Sequence, residues 1–237
     1  MDLRGAICIV TGGSRGIGRA LCRDLEARGA VVVSCSLGGG GDDASDDSFA
    51  VDVRDSAQVK RFFGEVVSRH GGIDVLICNA GYASRIQDLD EVSDAEFERL
   101  FQTNVAGVFH CLREAIPVLR ARRAGVIVTI GSRAGTRAHA GLALYSASKF
   151  AVRGITQGLA KELCESAPHV RCYTVSPGGV NTPMRAELFG AEDSERQQSA
   201  ESVAKVVCDL IEEKVEAPTG ANIEVAGGLV ARIEEMA

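Results

Sequence analysis

Along the chain, short runs that are apolar almost throughout alternate with longer stretches in which apolar residues recur every three or four positions. The short runs are Ala6–Thr11, Val31–Ser36, Phe49–Val53, Ile73–Cys78, Val126–Gly131, Val170–Ser176 and Asn222–Val225. Val and Ile dominate most of them, and unbroken apolarity marks strands covered on both faces. The longer stretches lie near Gly16–Arg28, Ala57–His70, Asp94–Arg122, Tyr145–Glu165 and Ala200–Glu213. Strand then helix, repeated, predicts right-handed crossovers and an α/β fold: a Rossmann-type, doubly wound parallel sheet of about seven strands with helices on both faces.

Local signals refine this outline. Ser93 with Glu96 three residues on predicts a capping box, and Asp55 or Ser56 is placed to cap the second helix. Pro117 falls inside the long Asp94–Arg122 stretch and predicts a kink or an end there. Between Ser36 and Phe49 the chain holds four glycines and four aspartates, a composition that disfavours a helix and predicts a flexible loop. No repeat or linker divides the sequence, so residues 1–237 are expected to form one domain.

Composition narrows the function classes. Of 237 residues 46% are hydrophobic and only 5% aromatic, so Val, Ile, Leu and Ala must build the core. The net charge of −6 and the lack of a long basic run leave no electrostatic footprint for nucleic acid. The densest basic group, Arg120, Arg122 and Arg123, follows a helical stretch and reads as a solvated helix end. Eight cysteines (Cys8, Cys22, Cys35, Cys78, Cys111, Cys164, Cys172, Cys208) show no C-x-x-C spacing and read as small buried hydrophobes in a reducing compartment. His70, His110, His139 and His169 are scattered, so no metal site is expected. With no signal-peptide pattern and no apolar run of about 20 residues, a cytoplasmic protein without a membrane span is expected.

The first strand runs into Thr11-Gly12-Gly13-Ser14-Arg15-Gly16-Ile17-Gly18, and a helix follows at once. Glycines there admit positive φ and let backbone approach a pyrophosphate, while the helix N-terminus offers free N–H groups. The spacing Gly-x-x-x-Gly-x-Gly is one residue longer than the common dinucleotide fingerprint. In this it resembles the short-chain dehydrogenase/reductase family, whose motif is T-G-x-x-x-G-x-G, and its 3-oxoacyl-ACP-reductase-like and alcohol-dehydrogenase-like members. Further segments match in family order: Asp52-Val53 ending the third strand, Cys78-Asn79-Ala80-Gly81 ending the fourth, and Pro177-Gly178-Gly179-Val180-Asn181-Thr182-Pro183-Met184. Cys78 stands where the family has a first Asn.

The resemblance implies a cofactor site made of Gly12, Ser14, Arg15, Gly16, Ile17, Gly18, Ser36, Asp52, Val53, Asn79, Ala80, Gly81, Tyr145, Lys149, Pro177, Gly178, Val180 and Thr182. In it Asp52 meets the adenine and the Pro177–Met184 segment flanks the nicotinamide. NAD-binding relatives carry an acid at the end of the second strand, where it accepts from both ribose hydroxyls. Here that place is Ser36, and Arg15 could pair with a 2′-phosphate. Both point to NADP(H), with NAD(H) the alternative, since Asp42, Asp43, Asp46 and Asp47 follow closely and would repel a phosphate.

Tyr145 and Lys149 stand four apart at the start of the fifth helical stretch and so share a helix face. A free tyrosine, with a pKa near 10, is a poor acid or base at neutral pH, and a nearby ammonium favours the phenolate. Ser132 lies just past the fifth strand, at the carboxyl end of the sheet where ligands gather. Each residue alone has an ordinary structural reading. Together with Asn104, they match the family's catalytic set: Tyr145 as general acid/base, Lys149 lowering its pKa and binding ribose, Ser132 orienting the carbonyl, and Asn104 in a proton relay. A serine hydrolase is excluded by the lack of a G-x-S-x-G elbow and of a histidine placed beside Ser132.

The resemblance places substrate choice in residues 184–199, whose apolar part is Met184, Leu188 and Phe189, a pattern that predicts a small lid helix. Arg133, His139 and Leu144 flank the catalytic residues as candidate pocket-lining groups. The expected substrate is a small carbonyl or alcohol compound. A homo-oligomer, tetramer or dimer, is implied by the family, and Ala151, Gly154 and Gly158 on the Tyr145 helix suit close packing. Two rival functions share the fold: a nucleotide-sensing regulator, and a lyase or epimerase that works without net hydride transfer.

Overall fold

Strand β1 (Ile7–Thr11) is buried along its length, and its side chains divide between two apolar layers. Cys8 and Val10 enter one layer, Ile7 and Ile9 the other. The same division runs through Val75 and Ile77 against Leu76 and Cys78, and through Val126 and Val128 against Ile127. Both faces of the sheet are covered, which is why these runs are apolar throughout. The computed structural model describes residues 1–39, 47–122 and 124–235.

The remaining strands are β2 (Val31–Ser36), β3 (Ser48–Ala50), β4 (Val75–Cys78), β5 (Gly125–Ile130), β6 (Val170–Pro177), β7 (Val180–Asn181), β8 (Gln198–Ser199), β9 (Asn222–Ala226) and β10 (Leu229–Glu234). The helices are α1 (Gly16–Ala27), α2 (Ser56–His70), α3 (Asp94–Phe101), α4 (Gly107–Arg122), α5 (Ala143–Ser166), α6 (Pro183–Phe189), α7 (Ala191–Glu195) and α8 (Ala200–Ile211). The main sheet has the order β10-β9-β6-β5-β4-β1-β2-β3 and is parallel except for the β9–β10 hairpin. Leu21 and Leu25 of α1 and Val203 and Val207 of α8 close one face. Phe62 and Phe63 of α2, Leu112 and Leu119 of α4, and Leu159 and Leu163 of α5 close the other. Strand order reverses between β1 and β4, and a crevice opens there beyond the carboxyl ends of the strands.

An ionic cluster ties α1 to α8. Arg28, 16% exposed, donates to Asp209 at 2.8 Å and to Glu212 at 2.5 Å, besides its helix neighbour Asp24.

Several expectations are corrected. The main sheet has eight strands, because residues 229–234 turn back as an edge strand. Strand β3 ends at Ala50, so Asp52 and Val53 lie in the connection beyond it. Pro117 neither ends nor divides α4; it is exposed, so the backbone carbonyl it leaves without a donor can turn to water. The long stretch breaks earlier, at a π-helical turn over Gln102–Ala106. Asp55, not Ser56, caps α2 through the N–H groups of Ala57 and Gln58. Ser93 accepts from Glu96 N as foreseen, but the Glu96 carboxylate takes the Tyr82 hydroxyl at 2.8 Å. Cys164 is exposed and Cys22 half-buried, whereas the other six cysteines are buried. Asp42, Asp43, Asp46 and Arg123 lie outside the described residues, while Asp47 sits 3.6 Å from both Arg69 and His70.

Candidate active site

The glycine turn is packed directly onto the end of β4. Gly12 has φ +69°, and a Cβ there would come 2.9 Å from the Cα of Ala80. A Cβ at Gly18 would fall 2.1 Å from the Gly12 carbonyl oxygen, so Gly18 serves the packing of α1. Asn79 fastens the same turn: its Nδ2 donates to Thr11 O at 2.9 Å and Gly12 O at 3.1 Å. Thr11 Oγ1 in turn accepts from the N–H groups of Asn79 and Ala80, both at 3.0 Å. Arg15, extended at φ −153°, precedes α1; no side chain caps that helix and no acid stands in its first turn. Its free N–H groups and positive dipole end are therefore available to an anion.

A groove of about 430 Å³ runs from this turn across the strand ends. Gly12, Ser14, Arg15, Gly16 and Ile17 line it from the turn, and Ser36 from the end of β2. Asp52 and Val53 line it from beyond β3, and Asn79, Ala80 and Gly81 from beyond β4. Tyr145, Lys149 and Thr182 close its far end. The only acid among these lining residues is Asp52, and the Arg54 guanidinium 2.6 Å away holds its carboxyl below the usual carboxylate range. The Ser36 hydroxyl donates to the carbonyl of Gly39. Arg15 forms an ion pair with Glu187 of α6 at 3.1 Å.

The four candidate catalytic residues come from three elements and converge at the groove's end. Lys149 is 6% exposed; its Nζ donates to Ile130 O at 2.9 Å and lies 5.9 Å from the centre of the Tyr145 ring. Burial lowers the Lys149 ammonium to about 8. Burial pushes the Tyr145 phenol above its ordinary range, and the neighbouring Ser132 hydroxyl works against that rise. Ser132 itself accepts from Ala134 N at 3.1 Å, which fixes its place past β5.

Asn104, 1% exposed, sits inside the π-helical turn. Its Oδ1 accepts from Tyr82 N and its Nδ2 donates to Tyr82 O, both at 2.8 Å. That Nδ2 also donates to Ser148 Oγ at 3.0 Å, and Ser148 Oγ donates to Tyr145 O at 2.7 Å. A methyl group at Gly81 would lie 3.6 Å from both Asn104 Oδ1 and Lys149 Nζ. Both side chains thus border the space beside Gly81.

A second pocket, about 500 Å³, opens on the other side of Tyr145. The two share Ile17, Gly131, Tyr145, Thr182 and Met184. Pro177, Gly178 and Val180 line this second pocket rather than the groove. Ser132, Arg133 and His139 belong to it as well, whereas Leu142 takes the place expected for Leu144. The 184–199 segment forms two short helices, α6 and α7, in place of one, and Met184, Arg185, Leu188 and Phe189 face the pocket.

Some lining residues carried no sequence signal. Arg54 is marked only by standing two residues after Asp52, and the Arg15–Glu187 pair spans 172 positions. Tyr82 and Arg185 are likewise identified only by where the chain folds. Among the described residues no cluster of His, Cys, Asp and Glu could hold a metal ion, and no helix is long and apolar enough to cross a membrane.

Comparison with known proteins gives a consistent result. The short chain dehydrogenase family model matches residues 6–193. The 3-oxoacyl-(acyl-carrier-protein) reductase of Escherichia coli strain K12 is 31% identical over 97% of this chain and 99% of its own. The structure of the 3-ketoacyl-(acyl-carrier-protein) reductase of Brucella melitensis, complexed with NADH, superposes with a TM-score of 0.85 at 27% identity, covering 95% of this chain and 98% of the other. A short chain dehydrogenase of Burkholderia cenocepacia J2315, in complex with NADP, superposes with a TM-score of 0.81 at 30% identity over 96% and 99% of the two chains.

Proposed function

The chain belongs to the short-chain dehydrogenase family, and on that premise we propose that it interconverts a ketone or aldehyde and the corresponding alcohol with NADP(H). The observation that carries this reading is the position of Tyr145: it forms part of the wall of both cavities, with the Lys149 ammonium behind it. The nicotinamide cofactor, held in the groove, supplies or accepts the hydride. The chain's own residues bind, orient and move the proton. The uncapped start of α1 and the Gly12 approach accept the pyrophosphate, and Asp52 faces the adenine end. Lys149 holds a ribose and favours the Tyr145 phenolate. Ser132 orients the substrate oxygen, and Tyr145 gives that oxygen a proton in reduction or takes it in oxidation. Asn104 and Lys149, whose side chains both border the space beside Gly81, form the proton relay.

NADP(H) is preferred to NAD(H), with NAD(H) as the weaker alternative. Ser36 offers no carboxylate to a ribose diol, and Arg15 and Arg54 stand along the groove. A 2′-phosphate is favoured by such cations and would be repelled by an acid in the place of Ser36. The substrate is a small carbonyl or alcohol compound, enclosed by Leu188 and Phe189 of the α6 lid.

The working form is a homo-oligomer, a tetramer in preference to a dimer. Phe150, Gly154 and Gly158 make an exposed stripe on α5, and a methyl at either glycine meets nothing within 4 Å. Phe97 on α3 and Phe109 on α4 are exposed as well. The compartment is the cytoplasm, in keeping with eight free thiols.

The test is direct: mix the purified protein with NADPH or NADH and a ketone panel, and follow the absorbance of the reduced nicotinamide. Turnover abolished in Tyr145→Phe supports the reading. Nucleotide binding without turnover on any compound overturns it in favour of a sensor.

A further inference from the structure

The second pocket is charged in one sense only. Its walls contain Arg133, Arg185 and His139, and no aspartate or glutamate. Arg185 is already neutralised: its Nε lies 2.6 Å from Asp193 and its guanidinium stacks on Phe189 at 3.8 Å. Arg133 has no ion pair and no side-chain hydrogen bond among the described residues. It follows Ser132 directly, so it leaves the backbone beside the residue that positions the reacting oxygen.

The pocket floor is shaped to admit this side chain. A Cβ on Gly178 would meet Arg133 Cδ at 3.3 Å and Nη1 at 3.4 Å, so the arginine lies along bare backbone. A Cβ on Gly179 would collide with Gln197 Oε1 at 2.1 Å. The consecutive glycines leave room for Arg133 and Gln197 over one strip of floor. Gln197 is tethered by its Nε2 to Asp193 O at 3.0 Å, so its amide oxygen faces the pocket side. Ile86, Leu142 and Leu188 supply apolar wall around these groups.

We propose that Arg133 is a specificity-determining residue and that the substrate is an oxo acid or hydroxy acid whose carboxylate pairs with its guanidinium. The proposal rests on the oxidoreductase reading above and names the substrate class of that site. A guanidinium offers a planar pair of donors that matches a carboxylate, and Arg133, exposed at the pocket wall, has no competing ion pair among the described residues. An apolar ketone of equal size would leave the cation unpaired there and gain nothing from it.

Two measurements test it. In the first, 3-oxohexanoate, its methyl ester and its coenzyme A thioester are compared as substrates of the wild type, Arg133→Ala and Arg133→Lys. The free acid should exceed the ester in kcat/KM by about tenfold to a hundredfold. That ratio should fall to about one in Arg133→Ala and stay intermediate in Arg133→Lys. Equal use of acid and ester by the wild type overturns the proposal, as does a ratio unchanged in Arg133→Ala. A thioester preference that Arg133→Ala abolishes also overturns it, placing a phosphate on Arg133 instead. The second measurement separates this idea from the oxidoreductase reading. Calorimetric binding of hexanoate to Tyr145→Phe should weaken at least tenfold when Arg133→Ala is added, whether or not any compound turns over. Hexanoate binding that survives the second substitution overturns the proposal alone.

Discussion

Lys149 donates from its buried Nζ to the carbonyl oxygen of Ile130, the last residue of β5, at 2.9 Å. That bond anchors the ammonium at the strand end and aims it past the Tyr145 ring. Its burial gives the protein a measurable dependence on pH. The folded-state value is about 8, against an ordinary 10.5, so the unfolded chain binds more protons between those limits. Stability should therefore rise as pH increases from about 8 to 10.5, by an amount on the order of 3 kcal/mol. Lys149→Met removes the titrating group. In thermal melts across this window the wild type should gain on Lys149→Met as pH rises, while the variant's activity falls by three orders of magnitude or more. A difference in Tm that is independent of pH contradicts the assignment.

Tyr145→Phe and Ser132→Ala should separate the proton donor from the orienting group. Loss of a positioned general acid typically costs about 10² to 10⁴ in rate, and loss of one hydrogen bond to the reacting oxygen about 10² to 10³. Both substitutions should lower kcat while leaving the dissociation constant of NADPH within about threefold, as measured by fluorescence titration.

Arg15 and Glu187 predict opposite effects at the cofactor end. Their ion pair is exposed on both sides, so it is weak and can be exchanged for a better anion. Arg15→Ala should raise KM for NADPH about tenfold and that for NADH much less. Glu187→Gln, which frees the guanidinium, should lower KM for NADPH by a few-fold. Steady-state kinetics with both cofactors decide the matter.

The double substitution Leu188→Ala and Phe189→Ala tests the α6 wall. Removing two apolar side chains from one face of the pocket should raise KM for the carbonyl substrate about tenfold and leave KM for the cofactor unchanged. Equal KM values for substrate in variant and wild type would mean that α6 does not enclose it.

Arg28 governs the packing of α1 on α8. Arg28→Ala leaves Asp24, Asp209 and Glu212 crowded together at the helix interface, although Lys205 and Lys214 still pair with two of them. The expected loss is about 2 kcal/mol, or a fall in Tm of about 4 to 8 °C by calorimetry, with kcat unaffected.

The sequence made the layered architecture legible because each central strand is apolar on both faces and each helix carries a stripe. It did not reveal β10, which buries no residue fully and half-buries only Val230 and Ile233 among its apolar side chains, so no run stands out. The candidate catalytic side chains could be named because Asn104, Ser132, Tyr145 and Lys149 stand in the order of a family resemblance, and Tyr145 and Lys149 share one helix face. Arg54 on Asp52, Arg15 on Glu187 and Gln197 over Gly179 were not readable, since each depends on how distant or irregular backbone turns. Pro117 shows the converse, a strong local signal with little effect, because it faces solvent.

The π-helical turn at Gln102–Ala106 gives residue count a chemical meaning. A wide turn of this kind holds one residue more than a regular helix uses for the same climb. Delete any one of the five and the backbone can return to even winding, a better helix by every local measure. The helix on either side would keep its phase, and the change would fall on the turn itself, from which Asn104 could no longer reach both Tyr82 and Ser148. In relatives of this chain, a one-residue gap at this point would report a changed link between Asn104, Tyr82 and Ser148, where the same gap in a surface loop would report only a change of length.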